Sequence, residues 1–376
     1  MSRNLALLVL GGLLAVAATA AAGESVWNTG LSAEHIYSQN VFGTDSSPAD
    51  GIVDGRAWAG WSPASAVRFE AMGRLVRFFE NPALDHGYLS GGINLKWASP
   101  GRRHQYLAGA SGSLRANDEL YAPYNYREGG GFASAKRYFT PAFSLELRGD
   151  LLGRVYPDAP LEDAMKVWLS SRLSRSLPSR TSLALTGRVG WKRYASGELD
   201  ATGALPRAAI WEGGAQAAQS LAARFAVRAW WTHSELFEST DSAQELAAFE
   251  NPLLDEFSAA GDRVGAAVKV ILPWNCMAEV GGERSRLTYP GRPPLVYDPA
   301  ANLFLIAADE SLALGSGDRR DTANHLRLGL DKRITLAGGA SGMVVRAGAE
   351  WTDQASNDLY WTWQGWVVHA GASLEF

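Results

Sequence analysis

Charged side chains occupy every second position in several segments of the chain, and apolar side chains occupy the positions between them. In VRFEAMGRL, residues 67–75, Arg68, Glu70 and Arg74 follow this pattern, and FSLELRGDLLGRV, residues 143–155, repeats it. Residues two apart point to the same face of a β-strand. The pattern therefore predicts strands with one charged and one apolar face. The charged face can pair its own charges or attract charged solutes.

Arginine dominates the charged face that this alternation defines. A surplus of guanidinium groups would raise the local concentration of anions, whereas ion pairs along the strands would only brace them. The sequence is compatible with both interpretations. The side chains assigned to this face, with Lys192 and Arg333 beside them in the same segments, are Arg68, Glu70, Arg74, Glu146, Arg148, Asp150, Arg154, Arg188, Arg224, Arg228, Arg327, Asp331, Arg346 and Glu350.

Residue patterns that support catalysis or metal binding are sparse. The six histidines are scattered, Cys276 is the single cysteine, and no GxSxG, HExxH, CxxC or phosphate-loop motif occurs. Within residues 45–55, Asp45, Asp50 and Asp54 are spaced around glycines but lack EF-hand spacing, and we predict a polar turn there. We expect no enzyme activity, no cofactor and no metal. The formal net charge of −4 gives no reason to expect a nucleic-acid partner.

The beginning of the chain has the features of a secretory signal peptide. Arg3 precedes an apolar run over residues 5–18, and small residues suited to cleavage follow it. We predict a signal peptide over residues 1–22 and a mature domain over residues 23–376. No later segment approaches the roughly 18 to 20 unbroken apolar residues of a membrane-spanning helix.

Short turns and longer polar connections alternate along the rest of the chain. Seven short turns make seven hairpins, and one strand before them at 26–39 and one after them at 361–376 bring the count to sixteen. An even count places both chain ends at the rim that carries the short turns. The short turns are predicted at residues 62–64, 99–101, 140–142, 177–179, 221–223, 272–274 and 336–338.

The chain resembles Gram-negative outer-membrane β-barrels of the porin-like class. The features that carry the resemblance are the signal peptide, the alternating strands, the short and long connections and the terminal Phe376. It implies an all-β fold, a single antiparallel transmembrane barrel of about sixteen strands with short periplasmic turns and long extracellular loops. It also implies that Phe376 is an assembly signal for the barrel assembly machinery, and that outer-membrane lipid and lipopolysaccharide surround the barrel.

The architecture leads to one functional hypothesis and two alternatives. The hypothesis is a channel for passive diffusion of small hydrophilic solutes, with anions favoured by the arginine-rich face. The first alternative is an export barrel for an exopolysaccharide or another polymer, acting with periplasmic partners. The second is a closed structural or anchoring barrel. The sequence leaves open whether the barrel forms a homo-oligomer.

Two long connections have a composition of their own. The connection predicted over residues 233–262 is acidic and contains no lysine or arginine; a solvated loop is favoured there over a divalent-cation site. The connection over residues 287–324 contains the apolar run 302–307, which is poorly suited to open water. We expect that run to pack inward and narrow the barrel, with packing across the mouth or against another subunit as the alternative.

Overall fold

The alternating segments form sixteen antiparallel strands that close into one barrel. The structure is a computed structural model that describes residues 26–41, 43–44, 47–195, 205–239, 256–298, 303–304, 313–336 and 342–376. The signal peptide predicted over residues 1–22 lies outside these ranges and stays a prediction. The barrel and the number of strands predicted from the sequence are confirmed.

Each barrel strand is twelve to seventeen residues long, and one short hairpin lies outside the barrel. The barrel closes where β1 meets β18. The strands are β1 (Val26–Ser38), β2 (Asp50–Ala64), β3 (Val67–Phe78), β4 (His86–Ala98), β5 (His104–Asn117), β6 (Tyr126–Thr140), β7 (Phe143–Val155), β8 (Ala164–Ser176), β9 (Thr181–Tyr194), β10 (Arg207–Ala222), β11 (Phe225–Ser239), β12 (Ala260–Leu272), β13 (Cys276–Tyr289), β14 (Tyr297–Asp298), β15 (Leu303–Phe304), β16 (Arg319–Thr335), β17 (Gly342–Ser356) and β18 (Trp363–Glu375). The strands β14 and β15 pair only with each other.

Turn chemistry explains why the hairpins are tight at one rim. In the connection between β12 and β13, Trp274 and Asn275 both adopt left-handed backbone conformations, with φ of 59° and 58°. Asparagine tolerates this region better than most residues, and consecutive left-handed residues reverse a chain sharply. Both ends of the described barrel lie at this same rim, which we call the short-turn rim. The opposite rim, which carries the longer connections, is the long-loop rim.

The closing pair of strands is fastened at the last residue. The backbone N–H of Phe376 donates to the carbonyl of Thr29 at 2.9 Å, and the N–H of Thr29 donates to the carbonyl of Phe376 at 3.3 Å. Because the two residues exchange hydrogen bonds, the final residue completes the ladder between β1 and β18. Its ring remains 55% exposed.

The two faces of the barrel differ in chemistry. Leucines such as Leu147, Leu169 and Leu185 alternate out of the barrel and are exposed. Aromatic rings flank this apolar belt on the same face, with Trp97 stacked on Tyr106 at the short-turn rim. The side chains at the positions between these outward residues point inward, and this inward face is polar and charged. We call that inward face the lumen wall.

Helices contribute little to the molecule. The described residues contain only short 3₁₀ segments, such as Glu119–Tyr124 in the connection between β5 and β6. No helix in the described residues is long and apolar enough to cross a membrane.

The segment 45–55 is the clearest departure from the sequence prediction. Residues from Asp50 onward belong to β2 and do not form a turn. Asp50 is 1% exposed, and its carboxylate accepts backbone hydrogen bonds from Phe79, Glu80 and Asn81 at 3.0 Å. Asp50 therefore fastens the connection that follows β3 to the first residue of β2. A residue type that is common in turns here stabilises the beginning of a strand.

Candidate functional site: the lumen wall

The strand register places thirteen of the fourteen predicted charged residues on the lumen wall. Directly opposed residues on neighbouring strands share a face, so a row of pairs can be followed around the barrel. Arg154 lies opposite Glu128, and Arg188 lies opposite both Ser170 and Glu212. The residues placed on the wall are Arg68, Glu70, Arg74, Glu146, Arg148, Asp150, Arg154, Arg188, Arg228, Arg327, Asp331, Arg346 and Glu350.

Arg224 is the correction to that assignment. It lies in the turn between β10 and β11, where its backbone carbonyl accepts a hydrogen bond from Ile271 at 2.8 Å. Its side chain is exposed at the rim. The alternation of RFAVRAWW was extended one step too far, because the strand begins at Phe225.

Most of the predicted arginines are braced by carboxylates of the same wall. Arg68 pairs with Glu70 at 2.7 Å, and Arg148 pairs with Asp150 at 2.6 Å, each two residues along one strand. Arg154 pairs across strands with Glu128 at 2.6 Å. Since these side chains are 18–50% exposed, such pairs contribute little stability each, and their main effect is to cancel charge locally.

Two carboxylates each serve several bases. Asp54 is 1% exposed and pairs with both Arg56 and Arg74. Glu279 lies within 4.0 Å of basic groups on three neighbouring strands, which belong to Arg228, Lys269 and Arg327. A single acidic group shared among several bases leaves positive charge over. The excess of basic over acidic side chains that the sequence indicates therefore remains after these ion pairs are counted.

The wall also carries basic side chains with no carboxylate within 4.0 Å in the described part of the chain. They outnumber the acidic wall side chains that lack a basic partner there, which include Glu146, Glu283 and Glu350. The unpaired bases are Lys96, Arg115, Lys136, Arg172, Arg263 and Arg333. Arg115 instead donates from Nε to the side-chain oxygen of Asn117 at 2.9 Å.

Four of these bases lie near one end of the lumen, spread around the barrel. Lys96, Lys136, Arg172 and Arg333 lie two to four residues before the ends of β4, β6, β8 and β16, and all four strands end at the short-turn rim. We call these four residues the basic ring. The predicted wall included Arg333 but missed the other three, because their segments mix small and polar residues on both faces and alternate weakly.

Aromatic side chains lie flat along the wall. The guanidinium of Arg148 lies 4.0 Å from the ring centre of Phe132, and that of Arg188 lies 4.3 Å from the ring of Trp168. Trp168 in turn covers Gly190 on the next strand, where an added Cβ would lie 2.5 Å from the indole. Glycine is required there because the ring occupies the space of a side chain. Trp58 over Gly30 and Trp230 over Gly265 repeat the arrangement.

One loop segment enters the lumen from the long-loop rim. Phe257, 1% exposed, packs on Trp168 at 5.0 Å between ring centres and on Ile210. Glu256 beside it pairs with Arg188 at 3.3 Å. The segment before β12 therefore rests against the wall and narrows the lumen there. Narrowing was predicted for the other long connection, whose apolar run 302–307 lies outside the described residues except at 303–304.

The connections after β13 and β17 are tied together. Asp358 is 3% exposed, and its carboxylate accepts hydrogen bonds from the backbone N–H groups of Leu295 at 3.1 Å and Tyr360 at 3.0 Å. Burial raises the pKa of the Asp358 carboxyl, although both hydrogen bonds oppose the rise. The Asp358 carboxylate therefore becomes protonated at a higher pH than an exposed aspartate would.

The acidic connection is shorter than predicted. Strand β11 continues to Ser239 and β12 begins at Ala260, so Glu235 and Asp262 belong to strands and bond outward-facing tryptophans. Its acidic residues at 241, 245, 250 and 255 lie outside the described residues. Within the described ranges, no three histidine, cysteine, aspartate or glutamate side chains come together as metal ligands.

Comparison with known proteins places the likeness at the level of fold. No protein-family model matches the chain, and no curated protein matches it in sequence. CdiB from Acinetobacter baumannii is similar with a TM-score of 0.50 and 11% identity, over 93% of this chain and 60% of that one. OprD from Pseudomonas aeruginosa gives 0.46 and 10%, over 94% of each chain. A bacterial polysaccharide outer membrane secretin gives 0.49 and 8%, over 93% of this chain and 97% of that one. At such identities a likeness extends to the fold alone.

Proposed function

We propose that the chain forms a channel of the bacterial outer membrane through which small hydrophilic solutes diffuse passively. The observation that carries the proposal is the closed sixteen-stranded barrel with an apolar outer belt and a charged lumen wall. A belt of leucine flanked by aromatic rings fits a bilayer core between its two interfaces. Charged side chains turned inward fit a water-filled passage and would be costly against lipid.

The size of the barrel supports a passage. Sixteen strands spaced about 4.8 Å apart and tilted by about 40° close at a radius of roughly 16 Å between backbone and axis. Side chains reach inward by about 6 Å, which leaves room for water and small solutes at the centre. Barrels of 16 to 18 strands generally enclose an aqueous channel. The segment at Phe257 reduces the opening on one side.

Anion preference is the finer part of the proposal. The unpaired bases outnumber the unpaired acids on the wall, and four of them form the basic ring at the short-turn rim. Low-dielectric walls concentrate the field of such charges in the passage, so anions accumulate there and cations are depleted. The paired arginines brace the wall, and the selectivity arises from the bases that remain.

The surroundings of the barrel follow from the same proposal. Export requires the predicted signal peptide, and membrane insertion would use the exposed ring of Phe376 as the signal for the assembly machinery. The outer belt would contact outer-membrane lipid and lipopolysaccharide. Diffusion along the wall requires only charge and shape, and the proposed channel needs no catalytic step.

Single-channel recording tests the proposal. The chain from residue 23, refolded and inserted into a planar bilayer, should give stable open-level currents with a reversal potential of the anion-selective sign in a salt gradient. A correctly folded barrel that stays silent would contradict the channel. It would favour an anchoring barrel or an export barrel that opens only with periplasmic partners. Open currents with cation preference would contradict the anion preference alone.

A further inference from the structure

A concavity of 360 Å³ lies in the lumen wall between β2 and β6. It is lined by Arg56, Arg74 and Arg115, by the rings of Tyr88 and Tyr126, and by His86. Its volume falls within the roughly 300–1,000 Å³ typical of sites for small molecules. None of its lining residues is a carboxylate, and three of them are arginines.

The strand register builds this concavity as one row. Arg56 lies directly opposite Arg74, Arg74 opposite Tyr88, Tyr88 opposite Arg115, and Arg115 opposite Tyr126. Directly opposed side chains on antiparallel strands lie about 4.5–5.5 Å apart at Cβ. Five neighbouring strands therefore present three guanidinium groups and two phenol rings in one continuous row along the lumen wall.

The charge of the row is only partly cancelled. Asp54 lies two residues before Arg56 on the same face of β2, is 1% exposed and pairs with Arg56 and Arg74, with 2.9 Å between its Oδ2 and Nη2 of Arg74. Arg115 has no carboxylate within 4.0 Å among the described residues and bonds the neutral Asn117. Three guanidinium groups share one directly paired carboxylate, so the row keeps a net positive charge.

Two further carboxylates, Glu34 and Glu128, lie on the adjoining wall. Glu34 bonds Nδ1 of His369 at 2.6 Å, and Glu128 pairs with Arg154 at 2.6 Å. Glu34 also interacts electrostatically with Arg56 and offsets part of the positive charge there, whereas Arg115 keeps the unpaired charge of the row. Like charges held together in a wall that water reaches form a site for an anion.

We propose that this row is a binding site for phosphate monoesters of small hydroxylated molecules. A monoester carries a charge of about −1.5 to −2 near pH 7 and three strong acceptor oxygens, so a net positive row attracts it more strongly than it attracts a monocarboxylate. Arginine forks match phosphate oxygens in a bidentate manner. The tyrosine hydroxyls can bond a hydroxylated body such as a sugar, and Tyr88 offers its ring, whereas the guanidinium of Arg154 lies 4.4 Å from the ring centre of Tyr126. The inference rests on the proposed function in one respect, because the solute must reach the row through the lumen.

Calorimetric titration of the full mature barrel in detergent tests the site without requiring conduction. Glucose 6-phosphate, glucose and benzoate are the probes. We expect glucose 6-phosphate to bind at least ten-fold more tightly than either of the others. Arg115→Gln should weaken its binding about ten-fold or more, because a charge-assisted bidentate contact is lost. Arg115→Lys, which keeps the charge but loses the fork, should give an intermediate loss.

Arg127→Gln is the matched control. Arg127 follows Tyr126 on the same strand but points out of the barrel and is exposed, so it lies at nearly the same depth on the opposite face. Its replacement should leave the affinity for glucose 6-phosphate unchanged within two-fold. Retention of the folded barrel's compact gel mobility before heating checks that each variant is assembled.

Three results would overturn the site: equal binding of benzoate, equal losses in the Arg115 and Arg127 variants, or no binding of glucose 6-phosphate. The channel can fail separately. A barrel that conducts without binding glucose 6-phosphate contradicts the site and leaves the channel standing. A barrel that binds it with the expected pattern but never conducts supports the site and contradicts the channel.

Discussion

Neutralising the basic ring should remove most of the anion preference of the channel. The perturbation is the fourfold variant Lys96→Gln, Lys136→Gln, Arg172→Gln and Arg333→Gln. These four side chains have no carboxylate within 4.0 Å in the described chain, so their replacement breaks no ion pair there and leaves no buried charge behind. Their position near the strand ends also keeps the substitutions away from the middle of the barrel wall.

The magnitude follows from Coulomb's law and the barrel radius. With a radius of about 16 Å and side chains reaching about 6 Å inward, each charge lies roughly 10 Å from the axis. A unit charge at that distance in water contributes about 0.4 kcal/mol, and screening at 0.1 M salt reduces this to about 0.15 kcal/mol. Four charges then contribute about 0.6 kcal/mol, a factor of about 2.7 for anions and the inverse for cations. The anion-to-cation permeability ratio should therefore fall about seven-fold.

Reversal potentials in a tenfold salt gradient centred near 0.1 M measure this ratio. Glu146→Gln is the control of opposite sign, because Glu146 lies directly opposite Lys136 and Arg172 near the same rim and has no basic group within 4.0 Å in the described structure. Its replacement should raise the anion preference. The effect of the ring should nearly vanish at 1 M salt, where the Debye length is about 3 Å. An unchanged ratio at 0.1 M, or an equal change at 1 M, would refute the electrostatic reasoning.

Three further predictions concern stability, conductance and assembly. Asp54→Asn should lower the free energy of unfolding by about 2 kcal/mol, because it leaves two guanidinium groups opposed around a buried site. Glu70→Gln, which removes one member of a half-exposed ion pair, should lower it by less than about 1 kcal/mol. Denaturant titration in lipid measures both values, and equal losses would contradict the structural role of Asp54. Phe257→Ala should raise mean conductance or current noise, because the segment loses its buried contact with the wall, and unchanged recordings would show that the contact does not narrow the passage. Deletion of Phe376 should lower the amount of folded barrel in outer membranes, compared by gel mobility with a Phe376→Tyr control, and normal yields would refute its part in assembly.

The number of strands and the side chains that face the lumen could be predicted, because both depend on the local sequence pattern. Segments with strict alternation, such as 143–155, reveal their faces at once, and short turns carry their own residue chemistry. Phe376 and Val26 could be assigned to closing strands for the same reason. Local sequence was sufficient to assign the two faces of a strand wherever one face was strongly apolar.

The charge pairing was not predictable, because it depends on register between strands. Arg56, Arg74 and Arg115 are far apart in sequence, and only the pairing of β2 to β5 brings them into one row. Aspartate and glycine are frequent in turns, which favours a turn at Asp54, yet its strand buries it between two arginines. The inward position of Phe257 is a contact between a loop and a distant strand, which alternation cannot show.

The flat tryptophans give the glycines beneath them control over the bore of the barrel. A methyl group at Gly190 would lie 2.5 Å from Trp168, and one at Gly265 would lie 2.2 Å from Trp230. Even the smallest side chain at these positions would push an indole away from the wall and into the passage. The width available to a solute is thus encoded partly in residues that have no side chain. Alanine, ordinarily a mild replacement, would there act as an obstruction.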